Sequence, residues 1–354
     1  MRRFGIEPAS AVAQAQRDQT TGAAEPFQPL PVPTGSAPYR LALSDVKPEL
    51  PSDKRIFQVF GDHGGIKDPN PQAHVASAMV ADATANGVEF AYSVGDVVYF
   101  NGAKAEYPAQ FYEAYAHLNL PIFAIPGNHD GDPEEDGEAS CAAFMRYFCD
   151  RAPELLSEVA EYNRDTMTQP NVFWTLRDEL VTMIGLYSNV PSGGEIQQDQ
   201  IDWLVGELKE APKGVALILS LHHPPYSCDA HHGGSERMGK ILDEAFTAAE
   251  RCPDLVLSGH VHDYQRFTRT YWTREIPYIV IGNGGYHNLH AMASGAAPGL
   301  RATPDTVLEA FDDKRWGFLR LTVTASQIQG EYIAIDQAGN VTPAVDTFTT
   351  EVAT

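Results

Sequence analysis

The feature that most restricts the fold is a repeated unit, a short apolar run that stops in a polar cluster flanked by glycine. Ile56-Phe57-Gln58-Val59-Phe60 ends in Gly61-Asp62-His63-Gly64-Gly65, and Phe90-Ala91-Tyr92-Ser93-Val94 ends in Gly95-Asp96-Val97-Val98-Tyr99. Ile122-Phe123-Ala124-Ile125 leads to Gly127-Asn128-His129-Asp130. The runs read as buried strands. Between them, Ala73 to Asn86 reads as a helix closed by Gly87, and residues 105–117 as a second helix. Strand, helix, strand, helix, strand at these spacings predicts a parallel sheet with right-handed crossovers.

The second half continues in the same style. Strands are expected at Val172–Trp174, Leu180–Leu186, Val215–Leu221, Asp254–Leu257 and Ile276–Ile281, with helices at Gln197–Glu210 and near Met238–Glu250. Gly317–Ala325 and Gln329–Ile335 alternate in polarity and read as antiparallel strands of a second sheet. The expected fold is α/β, a sandwich of two mixed sheets with helices outside. Residues 1–50, rich in Ala, Gln, Pro and Thr, read as a poorly structured arm. Residues 51–340 form a single catalytic domain in this reading, and 341–354 a C-terminal tail.

Charge narrows the partners. The balance of 25 basic and 47 acidic residues, 25 − 47 = −22, repels nucleic-acid backbones and anionic membranes at long range. An anionic substrate would then need a local cationic site, which metal ions can supply. No apolar stretch approaches the roughly 18 residues that span a bilayer. The start Met1-Arg2-Arg3-Phe4-Gly5 is not followed by the apolar segment of a signal peptide. Cys141, Cys149, Cys228 and Cys252 contain no Cys-x-x-Cys pair, which argues against a thiolate zinc site. Cys141 and Cys149 are near enough in sequence to bridge, and buried free thiols are the alternative.

Ligands bind at the carboxyl ends of strands in such sheets, and adjacent glycines let the backbone turn and approach them. Two further clusters follow apolar runs: Leu221-His222-His223-Pro224-Pro225 and Ser258-Gly259-His260-Val261-His262-Asp263-Tyr264. If the second continues an extended strand, His260 and His262 share one face while Val261 turns inward. Singly, each cluster has an ordinary alternative as a turn, a cap or a surface histidine pair. Together, Asp, Asn and several His without cysteine suit two ions of the Fe, Zn or Mn type better than calcium or a structural zinc.

The order of these motifs resembles the metallophosphoesterase superfamily and, within it, the purple acid phosphatases. The Gly-Asp-x-Gly opening at 61–64 stands where the superfamily at large has Asp-x-His, and Tyr99 stands three residues after Asp96. Gly-Asn-His-Asp at 127–130, Leu219-Ser220-Leu221-His222 and Gly-His-Val-His at 259–262 complete the resemblance, which covers residues 55–290. It implies a four-layer αββα fold and an acid-phosphatase-like hydrolase of phosphate monoesters. A phosphodiesterase acting on cyclic nucleotides, nucleotides or lipid head groups is the alternative on the same site, and a non-catalytic metal- or phosphate-binding protein is a further one.

By resemblance, Asp62, Asp96, Tyr99 and His262 hold Fe(III), and Asp96, Asn128, His222 and His260 hold Zn, Mn or Fe(II), with Asp96 bridging. A water acidified by the two ions then attacks phosphorus in line. His129 is expected near the leaving group, and His231 and His232 at the phosphate oxygens or the ester. Asp130 and Asp263 are expected to orient ligating imidazoles, and Tyr286 and His287 to line the pocket unless Gly282-Asn283-Gly284-Gly285 is only a turn. His63, one residue off the ligand face, is expected outside the coordination sphere. Gln265-Arg266 departs from the family's Glu-Arg. The resemblance implies a small phosphorylated substrate and phosphate as product, and slightly favours a periplasmic or extracellular location.

Overall fold

The computed structural model describes residues 27, 29–132, 139–188 and 194–354, so most of the expected N-terminal arm lies outside it. Two sheets pack face to face. The six-stranded sheet runs in the order Val341–Glu351, Gln327–Ile335, Trp316–Val323, Arg55–Phe60, Phe90–Ser93, Ile122–Ala124. Its last three strands are parallel, as the early spacing predicts. The pair 316–323 and 327–335 joins this same sheet antiparallel to Arg55–Phe60 instead of belonging to another.

The nine-stranded sheet has the order Arg40–Ala42, Trp174–Arg177, Val181–Gly185, Ala216–Leu221, Leu255–Ser258, Arg274–Ile281, Tyr264–Tyr271, Thr306–Asp312, Leu300–Thr303. The four strands from Val181 to Ile281 in that order are mutually parallel.

Side-chain alternation explains the layering. Phe57, Val59, Phe90, Tyr92 and Phe123 meet Leu176, Met183, Ile218, Leu255, Leu257 and Ile279 between the sheets. The intervening residues face outward under helices: Phe60, Ala91 and Ile122 pack with Val75 and Met79 of the helix Asn70–Asn86. Leu217, Leu219 and Val256 pack with Leu204, Leu208, Leu242 and Phe246 of Gln198–Glu210 and Glu236–Ala249. With both faces covered, the parallel strands read as continuous apolar runs. Gly87 closes its helix at φ 67°, where any Cβ would be strained.

Three expectations need correcting. The arm does not extend to residue 50: Arg40–Ala42 pairs in parallel with Trp174–Arg177, and Arg40 is anchored by the buried carboxylate of Glu207. Val341–Glu351 is not a tail but the edge strand of the six-stranded sheet, where exposed, polar-rich residues hide the strand signal. Residues 105–117 do not form a regular helix. A 3₁₀ turn at Lys104–Glu106 is followed by a wide π-type turn at Pro108–Glu113, and Gln110 from that turn bonds the backbone of Tyr99 on both sides. No helix among the described residues is long and apolar enough to cross a membrane.

Candidate metal centre

The centre lies where the carboxyl ends of five parallel strands from the two sheets come together. Asp62, Asp96 and Asn128 follow Arg55–Phe60, Phe90–Ser93 and Ile122–Ala124, while His222 and the 260–262 segment follow Ala216–Leu221 and Leu255–Ser258. Asp62, Asp96 and His260 all adopt positive φ, at 54°, 53° and 67°, a conformation uncommon outside glycine. Cross-linking hydrogen bonds hold these turns: the Asp62 N–H donates to Gly95 O at 2.9 Å, and the His260 N–H to the side-chain Oδ2 of Asp62 at 2.8 Å. The histidine pair is therefore not the end of an extended strand. The turn at His260 sends the two imidazoles to different neighbours, and only Val261 goes where alternation puts it, into the core.

Two donor groups result. Asn128 Oδ1 lies 3.1 Å from His222 Nε2 and 3.0 Å from His260 Nδ1. Tyr99 Oη lies 3.5 Å from Asp62 Oδ1 and 3.4 Å from His262 Nε2, which is itself 3.5 Å from Asp62 Oδ1. Asp96 Oδ2 is 3.4 Å from His222 Nε2. Ligand atoms of Asp62, Asp96 and His222 all lie within 4.8 Å of one another. Backbone carbonyls fix the ring orientations, with Val94 O at 2.9 Å from His222 Nδ1 and Asn288 O at 2.9 Å from His262 Nδ1. Each ring then turns Nε2 toward the carboxylates, as outer partners do in metal sites.

The electrostatics fit a cation. Burial, with the Asp96 charge adding to it, pushes the Asp62 carboxyl up to about 8 despite His222 nearby. Burial alone would lower His222, but the charges of Asp96 and Asp62 outweigh it and raise the imidazole to about 9. Burial holds His262 down at about 4 and the Tyr99 hydroxyl well above its ordinary range. The Asp62 carboxyl and the Tyr99 hydroxyl are thus held toward their protonated forms and His222 toward its cationic one, a situation that positive ions reverse.

Because both Asp62 and His222 are pushed upward, a cation binding there displaces protons, and its binding tightens as pH rises. The sign for folding is opposite. Both groups have raised values in the fold, so their stabilisation of the cation-free chain is lost as pH rises through about 8 and 9. Calorimetry of cation binding in two buffers of different ionisation heat will show the release, and equal heats in both would contradict it.

Tyr99 owes its place to its neighbours. Gln110 Oε1 accepts the Tyr99 N–H at 3.0 Å and Gln110 Nε2 donates to Tyr99 O at 2.9 Å. A Cβ on Gly64 would stand 2.9 Å from Tyr99 Cδ2 and 2.5 Å from Gln110 Oε1, so the glycine and the tyrosine are sterically coupled. The Tyr286 ring lies tilted 4.2 Å from Tyr99 and packs against His262, and the half-buried His287 lies beside it.

The other sequence-derived residues divide. His129 is half-buried beside Tyr99, its N–H donates to Asp96 Oδ1 at 3.0 Å, and its Nδ1 is 2.6 Å from Phe100 O. His232 packs 4.8 Å from the His260 ring, and His231 is exposed farther out. His63 is buried against Phe60 and Tyr115, 3.0 Å from Ser93 Oγ and away from the ligand atoms.

Asp130 does not orient an imidazole. It accepts the backbone N–H groups of Val97, Val98 and Gly127, tying two ligand loops together. Asp263 also contacts no ligand ring. Its buried carboxyl, pushed up by burial and by the Asp229 charge, accepts from Gln265 Nε2, and glutamine there donates where a glutamate would repel. All four cysteines are buried free thiols.

Sequence reasoning missed Gln110, His223, Asp229 and His290. His223 is buried 4.4 Å from the His260 ring, with Nδ1 2.7 Å from Ser188 Oγ. Its position directly after His222 was the available signal. Gln110 lies in the stretch expected to be a regular helix, whose π-type turn has no sequence signal, and Asp229 and His290 lie in loops without a readable period.

Residues 41–264 match the calcineurin-like phosphoesterase family. Purple acid phosphatase 15 of Arabidopsis thaliana is 31% identical over 232 residues, 62% of this chain and 40% of that protein. The chain thus spans about two-fifths of the length of this plant relative. The "Probable glycerophosphodiester phosphodiesterase GpdQ" of Arcobacter nitrofigilis is 28% identical over 252 residues, 68% of this chain and 80% of that protein. The purple acid phosphatase from yellow lupin (Lupinus luteus) seeds superposes with a TM-score of 0.58 at 18% identity, covering 84% of this chain and 54% of that one.

Proposed function

We propose, for a chain that belongs to the calcineurin-like phosphoesterase family, that it hydrolyses phosphate monoesters at a centre of two cations. The observation that carries this reading is the meeting of Asp62, Asp96 and His222 ligand atoms within 4.8 Å. The two donor groups on either side support a division of ligands. Asp62, Asp96, Tyr99 and His262 would hold a ferric ion, and Asp96, Asn128, His222 and His260 a divalent Zn, Mn or Fe ion. When bound, such a pair acidifies a water, neutralises phosphate charge and stabilises both the entering and the leaving oxygens of an in-line displacement.

The chain's own groups would do the rest. With Nδ1–H of His129 donating to Phe100 O, Nε2 of the doubly protonated ring would be the nitrogen that delivers a proton to a departing alkoxide, leaving the neutral Nδ1–H imidazole. Such general acid catalysis contributes roughly 10²- to 10⁴-fold. His232, with His231 outside it, would face the phosphate oxygens from the opposite sheet. Buried Tyr99, Tyr286 and Val97 keep bulk water from one side of the centre.

The likeness to a protein named as a glycerophosphodiester phosphodiesterase favours a second reading, diester hydrolysis on the same residues. A panel of monoesters and diesters with matched leaving groups decides between them, and monoester turnover far below diester turnover would sink the first. The ferric assignment is tested separately. A phenolate on Fe(III) gives a visible charge-transfer band, so the oxidised two-cation protein is expected to be coloured and Tyr99→Phe colourless. A colourless parent containing iron would contradict the role given to Tyr99.

A further inference from the structure

The strand-end clusters leave one group of side chains unused. Asp229 is fully buried, and its Oδ2 accepts the backbone N–H of His231 at 3.1 Å and of His232 at 2.6 Å. The same oxygen lies 3.3 Å from Nδ1 of His290. His290 arrives from the loop after Arg274–Ile281, and its N–H donates to His262 O at 3.0 Å. Its ring lies 4.4 Å from His262, 5.1 Å from His232 and 5.2 Å from His231. One buried carboxylate therefore holds the backbone of His231 and His232 and lies against the His290 ring, joining two loops beside the candidate centre.

The approach of the Asp229 carboxylate to within 3.3 Å of Nδ1 favours a proton on that nitrogen and leaves Nε2 as the one available to a ligand. His290 Nε2 has no partner among the described residues, and the side chain retains 7% exposure. It is thus placed to meet a ligand instead of completing a protein network. A phosphate monoester carries three non-bridging oxygens and a diester two, so a third imidazole has a partner only on the monoester.

We propose that His290, positioned by Asp229, is a third phosphate-facing imidazole beside His231 and His232, and that this rim selects monoesters over diesters. The inference rests on the two-cation phosphomonoesterase reading above. Charge-assisted hydrogen bonds of this kind correspond to roughly 10- to 100-fold in affinity.

The test uses the full chain loaded with two cations, with cation content checked by elemental analysis and binding followed by calorimetry. Inorganic phosphate and dimethyl phosphate are the probes. His290→Ala is expected to weaken phosphate binding by about tenfold or more and leave dimethyl phosphate and cation content unchanged. His290→Gln, which keeps an N–H donor and most of the volume, is expected to recover much of the loss. Asp229→Asn is expected to weaken phosphate binding as well, since the carboxylate no longer orients the ring.

Unchanged phosphate affinity in His290→Ala with both cations present overturns the inference alone. So does loss of a cation in both His290 variants, which would make the residue a support for His262. A wild-type chain that takes up no cations overturns the two-cation reading, and this inference falls with it.

Discussion

Asp96→Asn is expected to abolish turnover and to prevent the two cations from being held together, even though it changes only one atom. In the proposed division of ligands Asp96 is the shared residue, and its Oδ2 lies 3.4 Å from His222 Nε2 while Oδ1 accepts the His129 N–H at 3.0 Å. Burial would raise its carboxyl, but the charges of His222 and His129 and the hydrogen bonds they make hold it below the ordinary range. The two buried carboxyls are therefore pushed in opposite directions, Asp96 toward the ionised form and Asp62 toward the protonated one.

Asparagine retains the shape and an oxygen for the His129 N–H but not the charge. Its loss should exceed the roughly 10²- to 10³-fold that follows removal of a single oxyanion donor. The surroundings allow no adjustment: a Cβ on Gly127 would fall 2.1 Å from Asp96 Oδ1. Turnover with saturating metal, together with cation content, measures the effect, and a variant retaining a tenth of the activity would contradict a shared ligand.

The second large effect separates the two histidines of one short loop. His260→Ala is expected to empty the position beside Asn128 and His222, and His262→Ala the position beside Asp62 and Tyr99. The reason is the backbone, since φ of 67° at His260 turns the two rings apart. Each variant should lose one cation and keep the other, and turnover should drop by more than the roughly 10- to 100-fold that an outer partner costs. Only His262→Ala should also lose the visible band given by Tyr99. Elemental analysis of both proteins reads the result. Loss of the same ion from both would mean that the two imidazoles serve a single position.

Much of this architecture is legible in the sequence because the parallel strands are buried on both faces. Ile56–Phe60, Phe90–Ser93 and Ala216–Leu221 are nearly unbroken apolar runs, and each is followed at once by the residues that meet at the centre. The antiparallel margins are less readable. Val341–Glu351 exposes most of its side chains and holds its place through backbone pairing with Gln327–Ile335, so hydrophobic pattern gives no sign of it.

The site follows the same division. Asp62, Asp96, Asn128 and His222 follow strand ends and could be placed by counting, whereas His260 depends on a positive φ that alternation does not foresee. Asp130 and Asp263 sit beside ligands in the chain, yet their carboxylates turn to backbone amides and to Gln265, where buried donors need them. His290 and Asp229 are far apart in sequence and meet only because two loops from the same sheet fold over the same strand ends.

The central claim, a two-cation phosphomonoesterase, is tested most directly by reconstituting cation-free protein stepwise and following monoester turnover against bound metal per chain. The account predicts turnover that rises until two cations are bound and then levels off. Turnover complete at one cation, or absent with two bound, would contradict it.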